Sequence, residues 1–71
     1  MIDDKEALTI ARKRAAEKGW EFAEPVMTVY NRNWWGGPGK YEIESGVAGP
    51  PPHARFTISA RTGAIRRESF S

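Results

Sequence analysis

Residues Arg55-Phe56-Thr57-Ile58-Ser59-Ala60-Arg61-Thr62-Gly63-Ala64-Ile65-Arg66 constrain the fold more than any other stretch of this chain. Phe56, Ile58 and Ala60 alternate with Arg55, Thr57 and Ser59, the period of two that characterises a half-buried strand. Arg61-Thr62-Gly63 breaks the alternation, and glycine at 63 can take the positive φ that closes a short loop without strain. Ala64 and Ile65 then start a return strand. The pattern predicts a β-hairpin.

The rest of the chain supplies what such a hairpin packs against. Asp3 or Asp4 starts a helix, and Asp3 with Glu6 three residues later has the form of a capping box in which Asp replaces the usual Ser or Thr. Ala7, Leu8, Ala11 and Ala15 share one helical face, with Ile10 at its border, while Lys5, Arg12, Lys13 and Glu17 point elsewhere. Alanine dominates the inner face, so the helix can lie close against a sheet. Gly19 is a natural left-handed stop, and Trp20 and Phe22 just beyond it close the core beneath the helix end.

Pro25 precedes a first strand, Val26 to Arg32, rich in β-formers. Its alternation is imperfect: Met27 and Val29 fall on one face, Val26 and Tyr30 on the other, as if both faces were partly covered or the strand bulged. Asn33-Trp34-Trp35-Gly36-Gly37-Pro38-Gly39 reads as a turn or loop. Lys40 to Val47 is a second strand, with Tyr41, Ile43, Ser45 and Val47 on one face and Lys40, Glu42 and Glu44 on the other. Gly49-Pro50-Pro51-Pro52 reads as an extended connector, and Ser69-Phe70-Ser71 as a loose end. The expected fold class is α+β: one N-terminal helix packed on a three- to four-stranded antiparallel sheet, residues 1–71 forming a single small domain.

With 71 residues the core is marginal. The chain has no cysteine, so neither a disulfide nor a thiolate metal site can reinforce it. That absence, an acidic Met1-Ile2-Asp3-Asp4 start unlike a signal peptide, and the lack of any bilayer-length apolar run lead us to expect a cytoplasmic protein with no membrane partner. The formal charge of +2 is too mild to argue for nucleic acid by itself. Residues 1–24 carry five basic and six acidic side chains, and 25–54 carry two of each. Residues 55–71 set Arg55, Arg61, Arg66 and Arg67 against Glu68. The last hairpin is therefore a basic edge, read as a solvated strand edge that arginines keep from aggregating. Arg12-Lys13-Arg14 fans over more than half of the helix circumference and reads as a solvated face.

Several patterns invite chemistry and lack the company it requires. His53, the only histidine, follows three prolines; no Gly-x-Ser-x-Gly occurs, and zinc would need more His or Cys. Gly36-Gly37-Pro38-Gly39-Lys40 resembles a phosphate loop, but Tyr41 follows the lysine and the next segment alternates like a strand. Glu42 and Glu44 share a strand face about 7 Å apart, read as a solvated outer face that also offers a docking point to a basic partner. No catalytic, cofactor-binding or metal-binding residues are expected, and the chain is read as a non-enzyme.

Trp34-Trp35 is the informative oddity. Neighbours in a strand or tight turn point to opposite sides, so one ring is expected to pack and the other to show. The alternative is that both cover the far face of the sheet. Exposed Trp, Tyr and Arg are the residues that anchor interfaces. Tyr30, Arg32, Trp34, Trp35, Glu42 and Glu44 are therefore the candidate partner-binding residues.

The chain resembles the PepSY-like group of small domains, and small bacterial immunity proteins with a related helix-plus-sheet layout. The matching residues are Ala7-Leu8-Thr9-Ile10-Ala11 with Ala15-Ala16, and the ending Phe56-Thr57-Ile58-Ser59-Ala60-Arg61-Thr62-Gly63-Ala64-Ile65. Ser59 stands where the group carries an acidic residue, and the tryptophan loop and triple proline have no counterpart. The match covers about half of the chain and carries a turn signature, which speaks to fold. The resemblance implies a non-enzymatic domain that binds, and sometimes inhibits, another protein such as a toxin or enzyme. Glu42 and Glu44 would suit a basic, nuclease-like toxin, and Arg32 with the last arginines an acidic partner. Self-association through a strand edge is a further expectation. The alternative is a nucleic-acid-binding module using the Trp34-Trp35 loop with Arg55, Arg61, Arg66 and Arg67.

Overall fold

A computed structural model describes all residues, 1–71. Helix α1 (Asp4–Lys18) is followed by four strands, β1 (Val26–Asn31), β2 (Lys40–Ser45), β3 (Ala54–Ser59) and β4 (Ile65–Phe70). The strands form one antiparallel sheet in the order β1-β2-β3-β4, and α1 lies against β1, β2 and β3. The chain has the expected α+β class, with four strands. No helix is long and apolar enough to cross a membrane.

The helix starts and stops where its sequence signals place it. The Asp3 carboxylate accepts a 2.8 Å hydrogen bond from the Glu6 N–H, satisfying one of the free donors of the first turn. At the other end Gly19 N–H donates to Ala16 and Trp20 N–H to Ala15, a Schellman closure. Ala7, Ala11 and Ala15 are wholly buried. Methyl groups therefore form the contact layer, and Tyr41, Ile43, Phe56 and Ile58 rise from the sheet to meet them. Trp20 stacks on Phe70 at 5.5 Å and tilts against Phe56 at 5.9 Å, and Phe22 lies 6.4 Å from Phe56. The aromatic closure expected beneath the helix end is in place.

The opening hairpin is β3 and β4, with Thr57 opposite Arg67 and Ile58 opposite Ile65, so the register shifts and Arg66 is the extra residue. Four expectations need correction. Phe70 is no loose end: it is the last residue of β4, opposite Ala54, and His53 and Ser71 exchange backbone hydrogen bonds beyond it. The strand persists because the Trp20 ring covers Phe70. Strand β2 stops at Ser45, since Gly46 turns the chain and leaves Val47 exposed. The 49–52 connector is not simply extended: a turn closed by Gly49 N–H to Gly46 C=O opens it, and it bends at Pro51. Strand β1 ends at Asn31 and is not covered on both faces. Met27, Thr28, Val29 and Tyr30 are all exposed, because no second helix shields the far face and β1 lies at the sheet margin.

A single ion-paired cluster ties β4 to the helix. Arg14 donates from Nε at 2.7 Å and from Nη2 at 3.1 Å to the Glu68 carboxylate, with Lys18 Nζ 3.8 Å away. Hydrogen bonding to Arg14 holds the Glu68 carboxyl below its ordinary range, and the same bonds raise the Arg14 guanidinium.

Candidate interaction surface

The 32–39 loop is firmly anchored at its base. Tyr30, 5.0 Å from the Tyr41 ring, accepts at its hydroxyl from the Gly39 N–H at 3.0 Å. Gly39 C=O accepts from Ala60 N–H at 3.0 Å, which joins the loop to the β3–β4 turn. A Cβ on Gly39 would fall 1.8 Å from the Asn31 carbonyl oxygen, so only glycine fits there. Asn33 shapes the tip: its side chain accepts from Trp35 N–H and its carbonyl from Gly36 N–H. Tyr41 beneath is buried, burial pushes its phenol upward, and it stays a neutral donor to Ile2 C=O at 3.3 Å.

On this base Trp34 and Trp35 are 88% and 87% exposed. The expectation that one ring packs is wrong, and so is the alternative that both cover the far face. The turn that opens at Asn33, with Trp34 and Trp35 at its two central positions, carries both side chains clear of the sheet, so neither is spent on the core.

The exposed apolar side chains are not scattered. Of the seven large ones, Met27, Val29, Tyr30, Trp34 and Trp35 lie on β1 or the loop after it. Met1 lines one hollow with Tyr30 and Trp34, and Val47 N–H bonds Pro25 C=O beside the start of β1. Together they form a band along one margin of the molecule, the kind of grouping that marks interaction surfaces.

The charges are sorted as well. Arg12, Arg14, Lys18 and Arg55 all form ion pairs. Of the seven basic side chains that form none, Lys5, Lys13 and Arg67 lie elsewhere, and Arg32, Lys40, Arg61 and Arg66 line a hollow of about 350 Å³ beside Trp34 with no carboxylate in its wall. Four unpaired cations around one hollow are arranged to receive an anion. Glu42 and Glu44 are placed differently from Tyr30, Arg32, Trp34 and Trp35. They lie on the uncovered sheet face, and both have internal partners: Asn31 Nδ2 donates to Glu42, and Arg55 Nε lies 3.3 Å from Glu44. Among the C-terminal arginines, Arg61 and Arg66 join the hollow, whereas Arg55 is taken up by Glu44.

Comparison with protein families, curated proteins and solved structures gives no match. The surface alone therefore carries the functional reading. His53, half-buried with Nδ1 3.1 Å from Ser45 C=O, fastens the end of β2 and has no carboxylate or serine hydroxyl in a catalytic arrangement with it. No group of three or more His, Cys, Asp or Glu is placed to hold a metal ion.

Arg61 and Arg66 were expected beside the loop only in the nucleic-acid reading, and neither they nor Lys40 stood among the candidate partner-binding residues. A signal for them existed. In a sheet that runs up and down, alternate connections fall at the same end, so the 32–39 loop and the 60–64 turn must be neighbours.

Proposed function

We propose that this chain is a small, non-enzymatic protein-binding domain that grips an acidic partner with its tryptophan loop. The observation that carries this reading is the pairing of two fully presented indoles with four cations that have no partner in the chain. Indoles supply apolar contact area at low entropic cost, and arginine forks supply bidentate contacts to carboxylates. Glu42 and Glu44 are already engaged within the chain, which favours an acidic partner over a basic toxin. Occluding a partner in the manner of an immunity protein or PepSY-like inhibitor is the mode of binding that the resemblance in sequence implies.

The test is capture of partners by the tagged chain, followed by titration of whatever protein is isolated. Trp34→Ala/Trp35→Ala and Arg61→Glu/Arg66→Glu are each expected to weaken binding at least about 30-fold, the loss of one hot-spot cluster. A partner held equally well by both variants would sink the proposal.

The same hollow supports one second reading, binding of a single nucleic-acid strand by stacking on Trp34 with phosphates on the four cations. Affinity would then fall roughly 50-fold for a fourfold rise in salt, as expected when about four phosphates are neutralised on a single strand. A protein complex anchored on indoles would survive that change.

A further inference from the structure

The two margins of the sheet are built oppositely. Strand β4 carries Arg66, Arg67 and Glu68 in succession, the charged dress that keeps a sheet edge from pairing. Strand β1 reads Val26-Met27-Thr28-Val29-Tyr30-Asn31, without a charge, proline or bulge, and four of its six residues are exposed. Half of its backbone N–H and C=O groups face β2, and the alternate half face outward over about 20 Å.

The sequence around β1 also complements itself. Reversed about Thr28, Met27 falls opposite Val29, Val26 opposite Tyr30, and Glu24 opposite Arg32. Within the strand apolar residues meet apolar residues, and beyond its ends, past Pro25 and Asn31, an acid lies towards a base. Opposed positions lie an even number of residues apart, so side chains opposite one another share a face and outward-facing backbone groups meet their like. The charges are free to do this. Arg32 forms no ion pair, and Glu24 touches only Arg12 at 3.7 Å, both side chains being largely exposed.

We propose that two copies of this chain pair antiparallel through β1 about a two-fold axis at Thr28, joining their sheets into one. The occupant of the open edge is thus a second copy, in an isologous contact. The Trp34-Trp35 loops lie beyond the ends of the paired segment and stay available to a partner, with Lys40, Arg61 and Arg66 as their free cations once Arg32 is paired, and the pairing does not rest on the binding proposal above. Its area is that of a strand edge with flanking side chains, which corresponds to a weak, concentration-dependent dimer.

Sedimentation of the purified chain from micromolar to millimolar concentration tests this. The mass is expected to rise from 8.0 kDa towards twice that value. The outward-facing amides of β1 should gain protection from hydrogen exchange over the same range. Met27→Lys/Val29→Lys puts ammonium groups against each other across the seam and should hold the chain monomeric. Both positions are exposed, and circular dichroism checks that the variant folds. Glu24→Arg and Arg32→Glu should each weaken the dimer roughly tenfold, because two symmetry-related ion pairs are lost at once, and the double exchange should restore it. A mass of 8.0 kDa throughout, a dimer indifferent to the lysine pair, or a double exchange that fails to restore pairing would each overturn the proposal.

Discussion

Three tryptophans occupy two opposite environments, and their substitutions should separate cleanly. Trp20 is sandwiched between Phe56, Phe70 and the Lys18 ammonium, so Trp20→Ala removes the closing ring of the core and should cost about 3 kcal/mol in urea unfolding. Trp34→Ala and Trp35→Ala touch little and should stay within about 0.5 kcal/mol of the parent. A stability loss at Trp35 comparable to that at Trp20 would contradict the exposed placement. Glu68 gives a pH prediction. Its folded-state carboxyl is depressed by the Arg14 hydrogen bonds, so it stabilises the fold above the unfolded carboxylate value near about 4.3, and that contribution is lost as pH falls through the lower folded value. Urea midpoints of the parent should therefore drop more steeply below about pH 4.3 than those of Glu68→Gln, in which nothing at this position titrates. Parallel curves would refute the linkage.

At the level of elements, the helix was legible because each of its signals is local. Asp3, the alanine face and Gly19 act within a turn or two of the backbone they control. The spacing between helix and sheet follows from the alanines, and Ala11→Leu should cost about 1–3 kcal/mol by forcing the layers apart. A thermal melt showing no loss would mean that the helix can shift to make room. Strand limits were harder to read, since they depend on partners. Whether Phe70 is strand or tail is decided by Trp20, fifty residues away, and whether β1 is covered is decided by the absence of anything above it. The tryptophan loop misled for a related reason. Alternation sends one neighbour inward only where the chain lies against the core, while the Asn33 turn stands clear of the sheet and sets both indoles outside. Gly39 is the backbone key to that arrangement. Gly39→Ala should lower the melting temperature more than Gly63→Ala, because the first meets a carbonyl oxygen and the second meets the flexible tip of Ile10, besides its positive φ of 79°.

For the whole molecule, topology explains what the sequence could not place. Fold class and strand order follow from four alternating segments and short turns, and the hollow follows from bringing two turns to one end. Its cations come from positions 32, 40, 61 and 66, a set with no linear pattern. The alanine-lined helix leaves Phe56, Ile43 and Ile58 as the largest wholly buried apolar side chains, so the reserve of stability is small and end contacts weigh heavily. Removing Phe70 and Ser71 together strips the stacking partner of Trp20 and the closing bonds to His53. Such a truncation should destabilise the chain by about 2–4 kcal/mol, enough to unfold much of it at body temperature. Retention of a cooperative transition at the parent temperature would show that β4 ends earlier than it does here.

The unlike margins of the sheet also bear on how many copies could ever stack. A strand recruited to β1 meets a receptive edge, but the far side of each copy ends in consecutive charges that turn the next one away. The proposed pairing through β1 would therefore be self-limiting: one adhesive side and one guarded side would close the assembly at two, with Arg66 and Arg67 of β4 as its stop signal.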